Sequence, residues 1–141
     1  MPHYWIAVAS HDHVIRGVAG GFAQVCHGTE GPLKKMNPGD WIIYYSLTEK
    51  FNQPIPYRKF TAIGHIGSGE PYQFKMNDNF IPWRRNVTFI PTINECPIEP
   101  LITKLSFIEN KKQWGLIFRR GFFEVPFADF KLIASKMGVV I

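Results

Sequence analysis

Trp41-Ile42-Ile43-Tyr44-Tyr45-Ser46 (41–46) reads as a β-strand more plainly than any other stretch of the chain. It is built of β-branched and aromatic residues, which suit a pleated, packed surface. Alternation along a strand puts Ile42, Tyr44 and Ser46 on one face and Trp41, Ile43 and Tyr45 on the other. Asn37-Pro38-Gly39-Asp40 precedes it and is a turn signal: proline presets φ and glycine accepts a positive one. The chain therefore contains a sheet, and the flanking segments are read for its partners.

Upstream, Tyr4-Trp5-Ile6-Ala7-Val8-Ala9 is a short apolar run between polar residues and reads as a buried strand. Ser10 or Asp12 can cap a short helix through Val14, Ile15 and Arg16, which Gly17 is expected to end. Then comes Val18-Ala19-Gly20-Gly21-Phe22-Ala23-Gln24-Val25-Cys26-His27-Gly28. Paired glycines free the backbone there. Two readings stand: a turn followed by a core phenylalanine, or a glycine-shaped wall that presents Phe22 and the Gln24 amide to a flat polar ring such as a nucleobase. A helical turn is expected over Gly31 to Met36.

Downstream, Leu47 to Lys59 reads as a polar, proline-containing loop and Phe60 to Gly67 as a third strand. Gly64 and Gly67 mark a bulge or the close approach of another segment. Ser68 to Asn79 is loop-like, and Phe80 to Ile90 reads as a fourth strand with Pro82 at its start. Pro97 to Leu105 is expected to form a short helix with Ile98, Leu101, Ile102 and Leu105 on one stripe. Gln113 to Phe118 fits helix or strand, Arg119-Arg120-Gly121 a turn, and Phe122 to Val125 a strand. A final helix runs from Pro126 to Lys136, with Phe127, Phe130, Ile133, Ala134 and Met137 at helical spacing and Gly138 as its stop. Short strands without βαβ alternation, with helices at start and end, predict an α+β domain around a small barrel.

The 141 residues fit one domain, and a hydrophobic fraction of 45% suffices for a core. The aromatic fraction of 15% leaves rings beyond those a core requires, and the net charge of +5 favours polyanions. Cys26 and Cys96 form no Cys-x-x-Cys pair, so neither a disulfide framework nor a zinc signature is present, and a reducing, cytoplasmic setting is expected. His11 and His13 lack a third ligand, and adjacent Cys26 and His27 seldom meet as nucleophile and base. No metal, cofactor or membrane span is expected.

The ordered set Tyr-Trp-Ile-Ala-Val-Ala-Ser (4–10), Gly-Gly-Phe-Ala-Gln (20–24), His-Gly (27–28), Pro-Leu-Lys-Lys-Met (32–36), Pro-Gly-Asp-Trp-Ile-Ile-Tyr-Tyr-Ser (38–46), Phe-Thr-Ala-Ile-Gly (60–64), Pro-Trp-Arg-Arg-Asn-Val (82–87), Pro-Ile-Glu-Pro-Leu-Ile (97–102), Trp-Gly (114–115) and Arg-Arg-Gly (119–121) resembles the EVE domain in its stand-alone bacterial form. The resemblance spans essentially the whole chain. It implies a small mixed PUA-like β-barrel flanked by short helices, including a C-terminal one, with a pocket beside the first strand. Relatives in this group bind nucleic acid, and several take a modified base into an aromatic-lined pocket. The related YTH domains carry a polar motif after the first strand, where Ser10 stands, and an aromatic wall after the next helix, where Phe22 replaces a tryptophan.

A flipped base needs a stacking platform, hydrogen bonds to its edge and cations for flanking phosphates. Trp5, Phe22 and Trp83 are the candidate platforms, and Ser10, Gln24 and Ser46 the candidate readers. Lys34, Lys35, Arg84, Arg85, Arg119 and Arg120 are the candidate phosphate contacts. Arg84 and Arg85 point to opposite faces of a regular strand, so at most one serves a given groove. The implied function is a non-enzymatic nucleic-acid-binding module, DNA or RNA, that recognises a modified base. A nucleotide-acting enzyme on the same barrel and a protein–protein adaptor are the alternatives.

Overall fold

A computed structural model describes residues 1–141. The strands are β1 (Tyr4–Val8), β2 (Phe22–Ala23), β3 (Trp41–Thr48), β4 (Pro56–Ile66), β5 (Tyr72–Gln73), β6 (Trp83–Phe89), β7 (Cys96–Pro97) and β8 (Phe122–Glu124). The helices are α1 (His11–Gly20), α2 (Glu30–Lys35) and α3 (Phe127–Lys136), with 3-10 turns at Glu99–Leu101 and Trp114–Arg120.

The sheet is mixed, in the order β2-β6-β4-β3-β1-β8, with β5 on β6 and β7 on β4. β3 runs parallel to β1 and antiparallel to β4. Both faces of β3 are covered. Ile43 and Tyr45 join a core of 18 buried residues built against α3 and the chain from Ile98 to Phe118. Ile42 and Tyr44 join a second core of 13 with Trp5, Ala7, Val14, Leu33 and Met36. The second core also holds Phe122 of β8 and Ala23 of β2, from opposite edges of the sheet. Residues that far apart share one cluster because the sheet curls into a half-barrel.

Gly64 shows why curling is possible there. A Cβ at that position would meet the Thr88 carbonyl oxygen at 2.6 Å and Val87 Cγ1 at 2.8 Å. The strand-to-strand approach at the β4–β6 corner thus admits only glycine. Asp40 closes the turn before β3, accepting from the backbone N–H of His3 and Asn37 and from the Trp5 indole N–H.

Several expectations are corrected. α1 does not end at Gly17; it runs to Gly20, and the stop is Gly21, left-handed at φ 69°. Gly17 stays helical and is buried where the returning Phe22 carbonyl leaves no room for a side chain. The polar loop shrinks to residues 49–55, because β3 extends to Thr48 and β4 starts at Pro56. Ser68 to Asn79 is not plain loop: β5 pairs with β6, and Phe74 N–H and Met76 N–H donate to the carbonyls of Pro82 and Phe80. It is one arm of a hairpin turning at Asn77–Asn79, and the fourth strand accordingly starts at Trp83. The helix expected over Pro97 to Leu105 is a strand bridge and one 3-10 turn, since two prolines in four residues withdraw the N–H groups a longer helix needs. The ambiguity over Gln113 to Phe118 resolves as a 3-10 helix, Trp114–Arg120, which also takes in Arg119 and Arg120, expected as part of a turn, and α3 lies where its spacing placed it.

Candidate nucleic-acid interface

The cleft opens where β1 hands over to α1. Ala9 and Ser10 leave the end of β1, and α1 sends His13, Val14, Arg16 and Gly17 along one wall. Asp12 fixes that helix start: Oδ1 accepts from Ser10 Oγ at 2.5 Å and from the His13 backbone N–H at 2.9 Å. Burial opposes the charge, but these bonds and one from the Phe51 N–H hold the carboxyl below the usual aspartate range. Beyond Gly21 the chain reverses, and β2 aligns antiparallel to β6 with Phe22 opposite Asn86. That pairing brings Phe22 and Gln24 to the second wall, beside Arg84.

An inner cavity of about 110 Å³ is bounded by these walls, by Tyr44 on its floor and by Met76 and Phe80 from the hairpin. It shares Ala9, His13, Gln24 and Phe80 with a wider cleft of about 660 Å³ that reaches Cys26, His27, Phe51 and Arg119. The larger volume lies in the range of small-ligand sites. Cys26 and His27 both sit at positive φ, 47° and 62°. Burial pushes the Cys26 thiol up, with the Lys35 charge partly offsetting it.

Arg84 dominates the inner cavity. Only 8% exposed, its guanidinium lies 3.9 Å from the Phe22 ring centre and 4.1 Å from that of Phe74. Both distances are those of cation–π stacking. Its Nε donates to Gln24 Oε1 at 3.0 Å, and it has no carboxylate partner. Burial accordingly lowers its pKa from the ordinary arginine value. The Tyr44 hydroxyl donates weakly to the Gln24 carbonyl at 3.4 Å, and burial raises its pKa, so it stays neutral.

The expected site residues part company here. Phe22 and Gln24 line the inner cavity, and Ser10 and Arg119 the outer cleft. Arg84, expected as a phosphate contact, stands inside as part of the wall. Trp5 is core: 8% exposed, it stacks on Phe122 at 4.8 Å and donates to Asp40. Ser46 is fully buried and hydrogen-bonded to Thr61 Oγ1 at 2.8 Å, so it meets no ligand. Arg85 is buried beneath α2, where Nη1 donates to the carbonyls of Leu33 and Met36. Those are orphan acceptors of a helix end, so Arg85 is a cap and not a phosphate contact. Trp83 packs against the second core and borders none of the described openings. Lys34 and Lys35 lie exposed on α2, Lys34 paired with Glu30 at 3.4 Å, and Arg120 is exposed at the end of its 3-10 turn.

Phe74, Met76 and Phe80 were not anticipated. Their signal was present: Tyr72, Phe74 and Met76 alternate with polar residues, the mark of a strand, and remain 37–48% exposed. The turn residues around them masked it. No group of three or more metal-ligating side chains is present, and no helix is long and apolar enough to cross a membrane.

A curled mixed sheet flanked by short helices, with a ligand-sized cleft at the exit of its first strand, defines an α+β half-barrel domain. Residues 3–136 match the family model of the EVE domain. The chain is 50% identical over 128 residues to the "UPF0310 protein in gntR 5'region" of Bacillus licheniformis, covering 91% of this chain and 86% of that protein. It is 45% identical over 139 residues to the UPF0310 protein YdcG of Bacillus subtilis, covering 99% and 94%. Among solved structures, Rpa0253 from Rhodopseudomonas palustris superposes with a TM-score of 0.59 at 17% identity, covering 96% of this chain and 93% of that one. Atu2648 from Agrobacterium tumefaciens gives a TM-score of 0.61 at 9% identity, covering 97% and 94%. At such identities the likeness is one of fold. The chain belongs to the EVE domain family, which is PUA-like and commonly binds nucleic acid.

Proposed function

We propose that this domain is a non-enzymatic nucleic-acid-binding module that takes a single base, including a modified base, into the cleft between α1, β2 and the β5–β6 hairpin. The observation that carries this reading is the Phe22–Arg84–Gln24 constellation beside Met76 and Phe80. It combines planar walls, edge-reading hydrogen-bond donors and apolar surface that would accept a methyl substituent. Ser10 contributes a hydroxyl to the wider cleft, and Arg16 at the inner cavity and Arg119 at the wider cleft add positive charge. Lys34, Lys35 and Arg120 add exposed charge for neighbouring phosphates, in keeping with the net charge of +5.

Fluorescence anisotropy with modified and unmodified oligonucleotides across a salt series tests the reading. Phosphate contacts make affinity fall with salt, and loss of one contact reduces the logarithmic slope by roughly 0.7–0.9. Arg119→Ala is expected to weaken all oligonucleotides alike and to flatten that slope. Equal affinity for modified and unmodified strands at every salt concentration would rule out recognition of the modification. Turnover of any oligonucleotide or nucleotide by the purified domain would rule out the non-enzymatic assignment.

A further inference from the structure

We infer that Arg84 and Gln24 together make the inner cavity a reader of two adjacent hydrogen-bond acceptors, the pattern on the Hoogsteen edge of guanine (O6 and N7) and on the Watson–Crick edge of cytosine (O2 and N3). The inference rests on the base-binding reading above and names the chemistry of its ligand.

The polarity of the cavity is set by what the two side chains have already spent. Arginine carries five N–H donors and no acceptor. The Arg84 Nε–H is committed to Gln24 Oε1. Neither Nη has a protein partner, and neither is among the sealed, unpartnered atoms, which are Tyr45 Oη and Arg85 Nε. The Nη edge is therefore accessible from the cavity that Arg84 lines. Because Arg84 can only donate, the oxygen of the Gln24 amide must face it, which leaves the Gln24 NH2 as the group still to be satisfied. The free polar groups of this pair are both donors. None of the residues lining the inner cavity is a carboxylate, and its other arginine, Arg16, lies 4.0 Å from Asp12. The positive charge of Arg84 is thus uncompensated inside a largely buried site.

Rigidity turns this polarity into selectivity. Phe22 and Phe74 hold the guanidinium between them and Gln24 holds Nε, so the fork is prepositioned. A donor pair held in place matches adjacent acceptors. It meets a donor on adenine, where N6–H2 neighbours both N1 and N7, and on thymine, where N3–H separates the two carbonyls. A well-formed bidentate match discriminates about tenfold or more.

The test uses short abasic oligonucleotides that carry one central base, guanine, cytosine, adenine or thymine, with an all-abasic strand as reference. Affinities are measured by anisotropy at one salt concentration. Guanine or cytosine is expected to bind about tenfold or more tightly than adenine, thymine and the abasic strand. Replacing guanine N7 or cytosine N3 by carbon identifies which of the two edges is read. Arg84→Lys keeps a charge without the fork and is expected to abolish the preference, bringing guanine and cytosine down to the affinity of the abasic strand. Gln24→Glu places a carboxylate on Arg84 and is expected to do the same, with circular dichroism confirming that each variant folds. Adenine binding as tightly as guanine and cytosine overturns the inference, as does a preference that survives both variants. An abasic strand that binds as tightly as any base-bearing one shows that the affinity comes from the backbone alone: the inference then fails along with insertion of a base, and nucleic-acid binding stands. If no strand binds at all, the inference and the functional reading fail together.

Discussion

Arg84 and Arg85 are neighbours of one type, and the fold gives them unrelated work. β6 directs Arg84 to the cleft and Arg85 beneath α2, so one strand register separates a ligand-facing cation from a helix cap. Arg85→Met is expected to lower stability by about 2 kcal/mol in urea denaturation, because two buried carbonyls lose their donor. Oligonucleotide affinity of the folded fraction should stay at the parent value. A second residue-scale case is Tyr57, whose hydroxyl donates to Glu95 while Glu95 also engages His11 Nε2 at 2.7 Å. Burial first, then the hydrogen bond to Glu95 and its charge, push the Tyr57 phenol up to about 12 from 10.0. The folded pKa is the higher one, so the protonated phenol stabilises fully below pH 10 and that stabilisation is lost as pH rises through about 12. Urea midpoints taken across this window should fall less steeply for Tyr57→Phe than for the parent.

At the scale of elements, the corners matter more than the strands. α1 ends at a left-handed glycine, and the returning chain is thereby aimed so that Phe22 pairs opposite Asn86. The hairpin of β5 and β6 carries Phe74, Met76 and Phe80 over the cavity, which a loop of the same composition would not do. The β4–β6 crossing depends on Gly64. Gly64→Ala puts a Cβ against the backbone oxygen of Thr88 and Cα of Phe89, atoms that cannot swing away. An overpacking loss of about 1–3 kcal/mol is expected, read as a lowered thermal midpoint. Affinity should fall as well, since β6 also carries Arg84.

The whole molecule is two cores separated by a curled sheet, and the inner cavity belongs to the smaller one. Tyr44 joins that core with its ring while its hydroxyl reaches the Gln24 carbonyl beside the cavity. The larger core is closed by α3, where Phe130 is fully buried and packs on Tyr4 at 5.1 Å. Phe130→Ala is expected to cost about 3–5 kcal/mol in urea denaturation. That is a large share of the ~5–15 kcal/mol that holds a typical domain together, so partial unfolding at physiological temperature should follow. Because α3 lies across the sheet from the cleft, the fraction that remains folded should bind oligonucleotides with unchanged affinity.

Local pattern determined a good deal of this molecule. Alternation in residues 41–46 assigned Ile42 and Tyr44 to one side and Ile43 and Tyr45 to the other, as the two cores do. Helical spacing located α3, glycines 20 and 21 marked the reversal before Phe22, and strand periodicity separated Arg84 from Arg85. Those features follow from dihedral preference and side-chain period, which a few consecutive residues define. Only the tertiary structure decided which face each residue meets. Trp5 and Ser46 are buried because β8 and β4 close over them, from 117 or more and about 15 residues away in the chain. Arg84 becomes a reader instead of a surface charge because Phe22, Gln24 and Phe74 converge on it from three separate segments. A period can say that two side chains point oppositely, but which direction is solvent, core or cleft depends on what the rest of the chain packs there.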